Sequence, residues 1–259
     1  MSDKLKVLDL FSGIGGFSLG LERTGGFETV AFCEIEEFPR KVLAKHWPKV
    51  PQYHDVRELT AARLAADGIE QIDVITGGFP CQDISQAGHQ KGIGEGTRSS
   101  LYKEVLRLAC DLGPQFIILE NVAALLSGPS TQPGGWFGRV LSDMAECGYN
   151  VEWENIPAWH TGLPHNRERV WIIAYPAKVR HAGQFLGSHS PQSNEAKQAG
   201  ASLLPAYFDG LGSAPDSYSL REGDGFSTFV GCLNALGNAV VPQIPELIGN
   251  AILQSMRAA

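Results

Sequence analysis

KLKVLDLFSGIGG, running from Lys4 to Gly16, is the stretch that decides the predicted fold. Its first part, Lys4 to Leu10, alternates and then becomes apolar, which is typical of a buried β-strand. The glycines that follow indicate a tight turn, and Phe17 to Arg23 has the pattern of a helix. A strand, a glycine turn and a helix in this order let backbone amides approach a nucleotide-like ligand closely. Because F-x-G-x-G-G differs from the dinucleotide fingerprint G-x-G-x-x-G, the turn alone does not define the ligand.

An acidic residue closes the second predicted strand. The apolar run Thr29 to Cys33 ends at Glu34. A carboxylate there, about 20 residues past the glycine turn, is placed to accept hydrogen bonds from both hydroxyls of a ribose. Glu34 could instead cap the helix predicted for Glu36 to Lys45. His54 to Arg57 is predicted to end a third short extended segment, and its Asp55 is placed to bond an adenine amino group.

The stretch Gly77-Gly78-Phe79-Pro80-Cys81-Gln82 carries the strongest candidate nucleophile. It follows the largely apolar run Ile72 to Ile75, so Cys81 is expected just past the carboxyl end of a strand, at the edge where open α/β sheets bind ligands. An isolated cysteine is more often a small buried hydrophobe. The polar residues and glycines after Cys81 favour a thiol presented to a ligand instead. Its thiolate would need nearby positive charge, for which the candidates are Arg98, Arg167 and Arg169.

A second carboxylate follows another predicted strand. Phe116 to Leu119 is apolar and ends at Glu120, which we expect beside the strand that leads to Cys81. Partial burial there would raise the pKa of Glu120 and let it serve as a hydrogen-bond donor. Arg167 and Arg169, just before a further strand, are predicted to share one face of an extended chain. They either form surface salt bridges or bind a carboxylate, a phosphate or a base edge.

Composition excludes several classes of protein. The chain has 259 residues, enough for one main domain with a small appendage. No stretch approaches the roughly 20 apolar residues of a membrane span, which predicts a cytoplasmic protein. The five cysteines include no C-x-x-C pair, which disfavours a zinc site and a disulfide framework. The net charge of -7 argues against a generally basic nucleic-acid binder but leaves room for a local basic cleft.

The amino-acid composition divides the chain into three segments. Residues 1–175 carry the strand and helix patterns of the main domain. The sequence that follows is rich in Gly, Ser, Ala, Pro and Gln, which predicts a small irregular subdomain in residues 176–230. Residues 231–259 return to the main domain through ALGNAVVPQ and an apolar helix, Ile244 to Met256, that must pack against the sheet.

Five motifs in a fixed order give the chain a resemblance to a known family. They are DLFSGIGGFSLGLE (9–22), GGFPCQDIS (77–85), ENV (120–122), RER (167–169) and ALGNAVVPQ (235–243). The chain resembles the bacterial and phage DNA (cytosine-5-)-methyltransferases, and the likeness covers most of residues 4–174 and 235–252. It implies an α/β, Rossmann-like fold of the S-adenosylmethionine-dependent methyltransferases. Such a fold has a mixed, mostly parallel sheet flanked by helices, here with a small irregular target-recognition subdomain.

The resemblance implies methyl transfer from S-adenosylmethionine to carbon 5 of a flipped-out cytosine in duplex DNA, through a covalent Cys81 adduct at carbon 6. Glu120 would hold ring nitrogen 3, with Arg167 and Arg169 positioning the base, and S-adenosylhomocysteine would be the product. The expected cofactor-binding residues are Phe11, Gly13, Gly15, Gly16, Glu34, Ile35, Asp55, Val56, Gly78, Pro80, Leu101, Asn238 and Val240. The expected DNA contacts are Gln82, Ser85, Lys91, Arg98, Arg139, Lys178 and Arg180.

By the same resemblance, the partners are double-stranded DNA and, in function rather than physically, a cognate restriction endonuclease. The protein is expected to be a monomer and to need no metal. The alternatives are a tRNA cytosine-5 methyltransferase and a non-catalytic DNA-binding paralogue with a reduced recognition region. A zinc nucleobase deaminase is excluded because no histidine begins H-x-E and Ile84 stands at the second cysteine position of C-x-x-C. A cysteine hydrolase using His160 or His165 would leave the glycine turn and Glu34 unexplained.

Overall fold

A seven-stranded sheet forms the centre of the protein. The computed structural model describes residues 4–79, 101–127, 135–158, 167–178 and 238–258. The strands are β1 (Leu5–Leu10), β2 (Phe27–Cys33), β3 (Gln52–Tyr53), β4 (Val74–Gly77), β5 (Phe116–Val122), β6 (Tyr149–Pro157) and β7 (Glu168–Pro176). Their order across the sheet is β3-β2-β1-β4-β5-β7-β6. The first five run parallel and β7 runs antiparallel to both neighbours, which confirms the predicted mixed, mostly parallel α/β sheet.

Helices cover both faces of the sheet. They are α1 (Gly16–Arg23), α2 (Glu37–His46), α3 (Ala61–Ala66), α4 (Tyr102–Leu112), α5 (Gly135–Glu146) and α6 (Gln243–Ala258), with a 3-10 helix at Ala123–Ser127. Alternation along β1 sends Leu8 and Leu10 into one core cluster, shared with α3, α4 and α5. It sends Leu5 and Val7 into a second cluster, shared with α1 and α6. None of the helices in the described ranges is both long enough and apolar enough to span a membrane.

The strand order brings the predicted site residues to one edge of the sheet. Since β1 lies between β2 and β4, the chain crosses first to one side of β1 and later to the other. Such a switch point leaves a crevice at the carboxyl ends of the strands, where ligands bind. Because β7 is antiparallel to β5, its amino end lies at the same edge, with Arg169 paired to Val122. The glycine turn, Glu34, Glu120 and the two predicted arginines consequently share this edge.

The C-terminal segment approaches α1 closely. A Cβ atom on Gly16 would overlap the Val240 carbonyl oxygen and lie 2.9 Å from Val240 Cβ. One on Gly20 would overlap the Pro242 carbonyl oxygen and lie 2.9 Å from Pro245 Cβ. Only residues without a Cβ permit this backbone approach. The helix α6 shares the second core cluster with α1.

Gly20→Ala is expected to destabilise the protein, because the added methyl group meets backbone that cannot move alone. Overpacking of this kind costs about 1–3 kcal/mol, and the gain in helix propensity, about 1 kcal/mol, offsets it only in part. Chemical denaturation measures the free energy of unfolding. Leu19→Ala is the control: Leu19 lies on the same helix but is 39% exposed, so its loss should change stability by about 0.5 kcal/mol or less. A Gly20→Ala variant as stable as the wild type would contradict the packing of residues 240–246 on α1.

The third short extended segment ends before residues 54–57, as predicted. The N–H of Glu58 donates to the Asp55 carbonyl and that of Leu59 to the Val56 carbonyl, so the chain turns there. The extended part is β3, just before this turn, which adds an edge strand to β2. The polar residues that suggested a strand end serve this turn.

The sequence disfavours a disulfide framework, yet one pair of cysteines is bonded. Cys110 and Cys147 form a disulfide, with their Cα atoms 6.0 Å apart. Cys110 lies near the end of α4 and Cys147 directly after α5. Their sequence separation of 37 gives no sign that these two helix ends lie side by side.

Candidate active site

The turn after β1 holds three residues in the left-handed region of backbone conformation. Phe11 has a φ of 50°, Gly13 of 52° and Gly15 of 87°. Glycine adopts such angles without strain, whereas Phe11 does so at a cost. Gly15 is also the N-cap of α1, so the free amides at the start of that helix face the turn. Strained backbone beside free helix amides is typical of a ligand-binding turn.

Glu34 reaches from the end of β2 to this turn. Only 7% of the residue is exposed. Its Oε2 accepts a hydrogen bond from Gly13 N–H at 2.7 Å, and its Oε1 accepts one from Glu36 N–H at 2.8 Å. The carboxylate therefore holds the turn and also binds an amide just before α2, while its contact with a ribose stays a prediction. Each carboxylate oxygen keeps a further lone pair for a hydroxyl group of a ligand.

Three more of the predicted cofactor residues lie at the carboxyl ends of β2 and β3. Ile35 is 51% exposed, while Val56 is buried. The Asp55 carboxylate accepts hydrogen bonds from Arg57 Nε at 2.9 Å and 3.0 Å. The Arg57 guanidinium holds the pKa of Asp55 below its usual range. An exposed apolar surface beside a charged acceptor suits a heterocycle that bears an amino group, and the assignment of adenine to this place stays a prediction.

The remaining predicted pocket residues come from distant parts of the sequence. Val240 lies directly against Gly16 of the glycine turn. Asn238 is exposed two residues earlier. Leu101 precedes α4 and packs against the first core cluster. Pro80 lies outside the described residues.

Phe79, which follows β4 and precedes the predicted nucleophile by two residues, is held in place by its neighbours. Phe79 is buried, and its ring centroid lies 5.6 Å from that of Tyr102. Its carbonyl oxygen accepts a hydrogen bond from Asn121 Nδ2 at 3.3 Å. Asn121 thus fixes the residue that precedes Pro80 and Cys81, a role that the sequence signalled only through its place in ENV. Cys81 itself lies outside the described residues.

Glu120 lies beside this exit, on the neighbouring strand β5. Its Oε1 is 3.0 Å from Arg169 Nε and 3.8 Å from Arg167 Nη2. A Cβ atom on Gly78 would lie 3.6 Å from its Oε2. Glu120 is only 8% exposed. The two arginines therefore bind a buried carboxylate, one of the interpretations that the sequence left open, and they do so at the end of β4.

Burial and the neighbouring positive charges shift the pKa of Glu120 in opposite directions. Burial raises the pKa of Glu120, and the guanidinium groups of Arg169 and Arg167 work against that rise. Burial, with the nearby charge of Arg169, lowers the pKa of Arg167, while Glu120 raises it. The direction for Glu120 agrees with the prediction made from the sequence. A raised pKa favours the protonated carboxyl group, which can donate a hydrogen bond to a ring nitrogen.

Most of the predicted DNA contacts fall outside the described residues, namely Gln82, Ser85, Lys91, Arg98 and Arg180. Arg139 lies on the surface of α5, with its Nε 2.7 Å from Asp143 Oδ1. Lys178 is exposed and follows β7. Because β7 runs away from the site edge, Lys178 lies at the opposite edge of the sheet from Glu120. The DNA contacts of Arg139 and Lys178 stay predictions, and the sheet topology puts Lys178 far from Glu120.

Known proteins resemble this chain in sequence and in fold. The family model for C-5 cytosine-specific DNA methylase matches residues 5–222. The type II methyltransferase M.Sau3AI of Staphylococcus aureus is 35% identical over 190 residues, which make up 70% of this chain and 45% of the relative. The type II methyltransferase M2.BsuMI of Bacillus subtilis is 36% identical over 174 residues, or 66% of this chain and 42% of the relative. A solved E. coli structure, of a candidate DNA modification methyltransferase encoded within a prophage, has a TM-score of 0.58 at 28% identity and covers 70% of this chain and 49% of that one.

A glycine turn after β1, an acidic residue after β2 and an antiparallel β7 next to β5 define the Rossmann-like methyltransferase class, as predicted. The match over residues 5–222 shows that the chain belongs to the C-5 cytosine-specific DNA methylase family. It spans about half the length of the curated relatives it matches, 45% of one and 42% of the other.

Proposed function

We propose that the protein is a DNA (cytosine-5-)-methyltransferase, which moves a methyl group from S-adenosylmethionine to carbon 5 of a flipped-out cytosine in a short duplex target. The observation that carries the proposal is the position of Glu120, buried, bonded by Arg169 and next to Gly78. Cys81 follows Gly78 after two residues. An acid group beside the strand end that leads to a candidate nucleophile suits addition to a pyrimidine ring. Membership of the family supports the same chemistry.

The glycine turn and Glu34 are the proposed cofactor site. S-adenosylmethionine bound over residues 11–16 would supply the methyl group. The Glu34 carboxylate already accepts hydrogen bonds from the backbone amides of Gly13 and Glu36. Its remaining lone pairs could accept hydrogen bonds from the ribose hydroxyls. The exposed face of Ile35 would cover adenine, with Asp55 as the acceptor for its amino group.

Cys81 and Glu120 divide the chemistry between them. The Cys81 thiolate adds to carbon 6 of cytosine and forms a C–S bond, while Glu120 gives a proton to ring nitrogen 3. Carbon 5 then has the electron density of an enamine and accepts the methyl group. Loss of the carbon-5 proton to solvent water restores the ring double bond and expels the thiolate, and the proton on ring nitrogen 3 returns to Glu120. Arg169 and Arg167 keep Glu120 aimed at the ring and stabilise its ionised form.

Duplex DNA is the proposed substrate. Carbon 5 and carbon 6 cannot both be attacked inside a base stack, so the cytosine must leave the helix. Basic side chains would contact phosphates locally although the net charge is -7. We assign catalysis and cofactor binding to residues 1–175, target recognition to 176–230 and closure of the pocket to 231–259. We place the protein in the cytoplasm as a monomer that acts alongside a restriction endonuclease and without a metal.

Incubation with methyl-tritiated S-adenosylmethionine tests the proposal. We expect label in duplex DNA and none in tRNA. Label in tRNA alone would replace the proposed substrate. A protein that binds the cofactor in calorimetry and labels neither nucleic acid would be a non-catalytic member of the family.

Glu34→Ala is expected to weaken binding of S-adenosylmethionine by about 1–3 kcal/mol. The variant loses the acceptor for the ribose hydroxyls and also the bond that holds Gly13. Isothermal calorimetry measures the change. Glu36→Ala is the matched control, because Glu36 is exposed and keeps its backbone amide; its Kd should stay within about twofold of the wild type. Equal affinities for Glu34→Ala and the wild type would remove Glu34 from the cofactor site.

A further inference from the structure

A buried carboxylate beneath the glycine turn takes no part in the chemistry described above. Asp9, in β1, is 0% exposed. Its Oδ2 accepts a hydrogen bond from Ser18 Oγ of α1 at 2.7 Å, and its Oδ1 accepts one from Thr76 Oγ1 of β4 at 2.7 Å. Its backbone carbonyl accepts a third from Ser12 Oγ, within the glycine turn, at 2.6 Å. One residue therefore bonds to the turn, to the helix that follows the turn and to β4.

The two side-chain partners of Asp9 belong to opposite sides of the proposed site. Ser18 lies in the first turn of α1, whose free amides face the cofactor side. Thr76 is paired with Asp9 in the parallel register of β1 and β4. It directly precedes Gly77 and Gly78, after which the chain continues to Cys81. The Asp9 carboxylate is thus a direct link between the methyl-donor side and the nucleophile side.

Stability alone does not account for a carboxylate at this place. Val7 and Val74, the flanking residues on the same face of β1 and β4, belong to the second core cluster. Burial raises the pKa of Asp9 to about 7, and the hydroxyl groups of Ser18 and Thr76 oppose that rise. Apolar residues of similar volume are often at least as stabilising as a buried ionisable group. What the carboxylate adds is two directional bonds of defined length.

We propose that Asp9 is a positioning residue for methyl transfer, which sets the distance between the glycine turn and the strand end that leads to Cys81. The inference rests on the proposed function. Without the two side-chain bonds, α1 and β4 would keep their apolar packing but lose the contacts that fix their relative placement. A small displacement between a methyl donor and a nucleophile lowers the rate much more than it lowers stability.

Three variants separate the two sides of the site. Ser18→Ala removes the hydroxyl bond from α1 to Asp9 and keeps the backbone bond from Ser18 to that carboxylate. We expect S-adenosylmethionine to bind about tenfold more weakly, with little change in kcat at saturating cofactor. Thr76→Val keeps the side-chain shape and removes only the bond to β4, so we expect kcat to fall about tenfold while the cofactor Kd stays within about twofold. Asp9→Asn offers one acceptor atom in place of two and should show both losses.

Asp73→Asn is the matched control for a purely structural effect. Asp73 is a second buried carboxylate, 5% exposed, directly before β4. It accepts hydrogen bonds from Lys6 N–H at 2.9 Å and from Gln115 Nε2 at 2.9 Å. Because it lies at the opposite end of β4 from Cys81, this variant should lose thermal stability without a change in cofactor Kd or kcat.

The inference is overturned if Asp9→Asn keeps both the cofactor Kd and kcat within about twofold of the wild type. It is also overturned if Asp73→Asn, at the same loss of thermal stability as Asp9→Asn, shows an equal loss of cofactor affinity or of kcat. If Asp9→Asn fails to fold, Ser18→Ala and Thr76→Val test the inference. It then fails unless Ser18→Ala lowers cofactor affinity and Thr76→Val lowers kcat. A wild type that binds S-adenosylmethionine but methylates no DNA would defeat the proposed function instead. In that case the cofactor affinities of Ser18→Ala and Asp73→Asn still decide whether the Asp9 network holds the turn.

Discussion

Cys81→Ser is expected to abolish methyl transfer to DNA, with kcat lower by about 10³-fold or more, while the affinity for S-adenosylmethionine stays within a few fold. A serine hydroxyl without an adjacent base is too weakly acidic to attack carbon 6. The cofactor is expected to bind the glycine turn and Glu34, at the ends of β1 and β2, and neither needs the sulfur. Single-turnover transfer of a labelled methyl group and calorimetry of the same preparation measure the two effects.

Cys33→Ala separates the nucleophile from the loss of any thiol. Cys33 is buried at the end of β2, and burial raises the pKa of its thiol to about 12, so it supplies no thiolate near neutral pH. This control should lose some stability and keep its methyl transfer. Full activity in Cys81→Ser would end the assignment of Cys81 as the nucleophile.

Glu120→Gln is expected to lower kcat by about 10²–10⁴-fold. An amide oxygen can still accept the hydrogen bond from Arg169 Nε, so the side chain keeps its place. The amide cannot give a proton to ring nitrogen 3, however, and it removes the negative charge opposite Arg169 and Arg167. The affinity for S-adenosylmethionine should not change, because Glu34 and the glycine turn are intact. Steady-state kinetics at saturating cofactor and DNA measure the loss.

Glu104→Gln is the control for that substitution. Glu104 pairs with Arg107 on α4, with Oε2 and Nε 2.8 Å apart. Surface or partly exposed pairs of this kind contribute little, so kcat should stay within about twofold of the wild type. If Glu120→Gln also kept the wild-type kcat, Glu120 would have no part in the chemistry even with Cys81 essential.

Local sequence patterns are enough to predict most of the sheet and much of the site. The apolar runs before Phe11, Glu34 and Glu120 each form a strand, because β-branched and aliphatic residues bounded by polar residues or glycine favour one. Parallel strands end at a common edge, so residues that close such runs can be expected together. The contact of Glu34 with the glycine turn follows from that rule.

Contacts between distant segments could not be predicted in the same way. Arg167 and Arg169 meet Glu120 because β7 enters the sheet antiparallel to β5, a topology that no local pattern reveals. The bond between Asp9 and Thr76 spans 67 residues, and apolar alternation gives no reason to expect a carboxylate at that point of β1. Gly16 is predicted as a cofactor residue, yet its missing side chain also admits the Val240 backbone. In each case the contact is determined by how segments far apart in sequence pack together in the fold.

Bisulfite sequencing of DNA from cells that express the protein tests the central claim most directly. We predict cytosines that resist conversion within one short recurring sequence, in cells with the wild type and not in cells with Cys81→Ser. Complete conversion in cells that contain folded wild-type protein able to bind S-adenosylmethionine would contradict the claim that this chain methylates carbon 5 of cytosine in DNA.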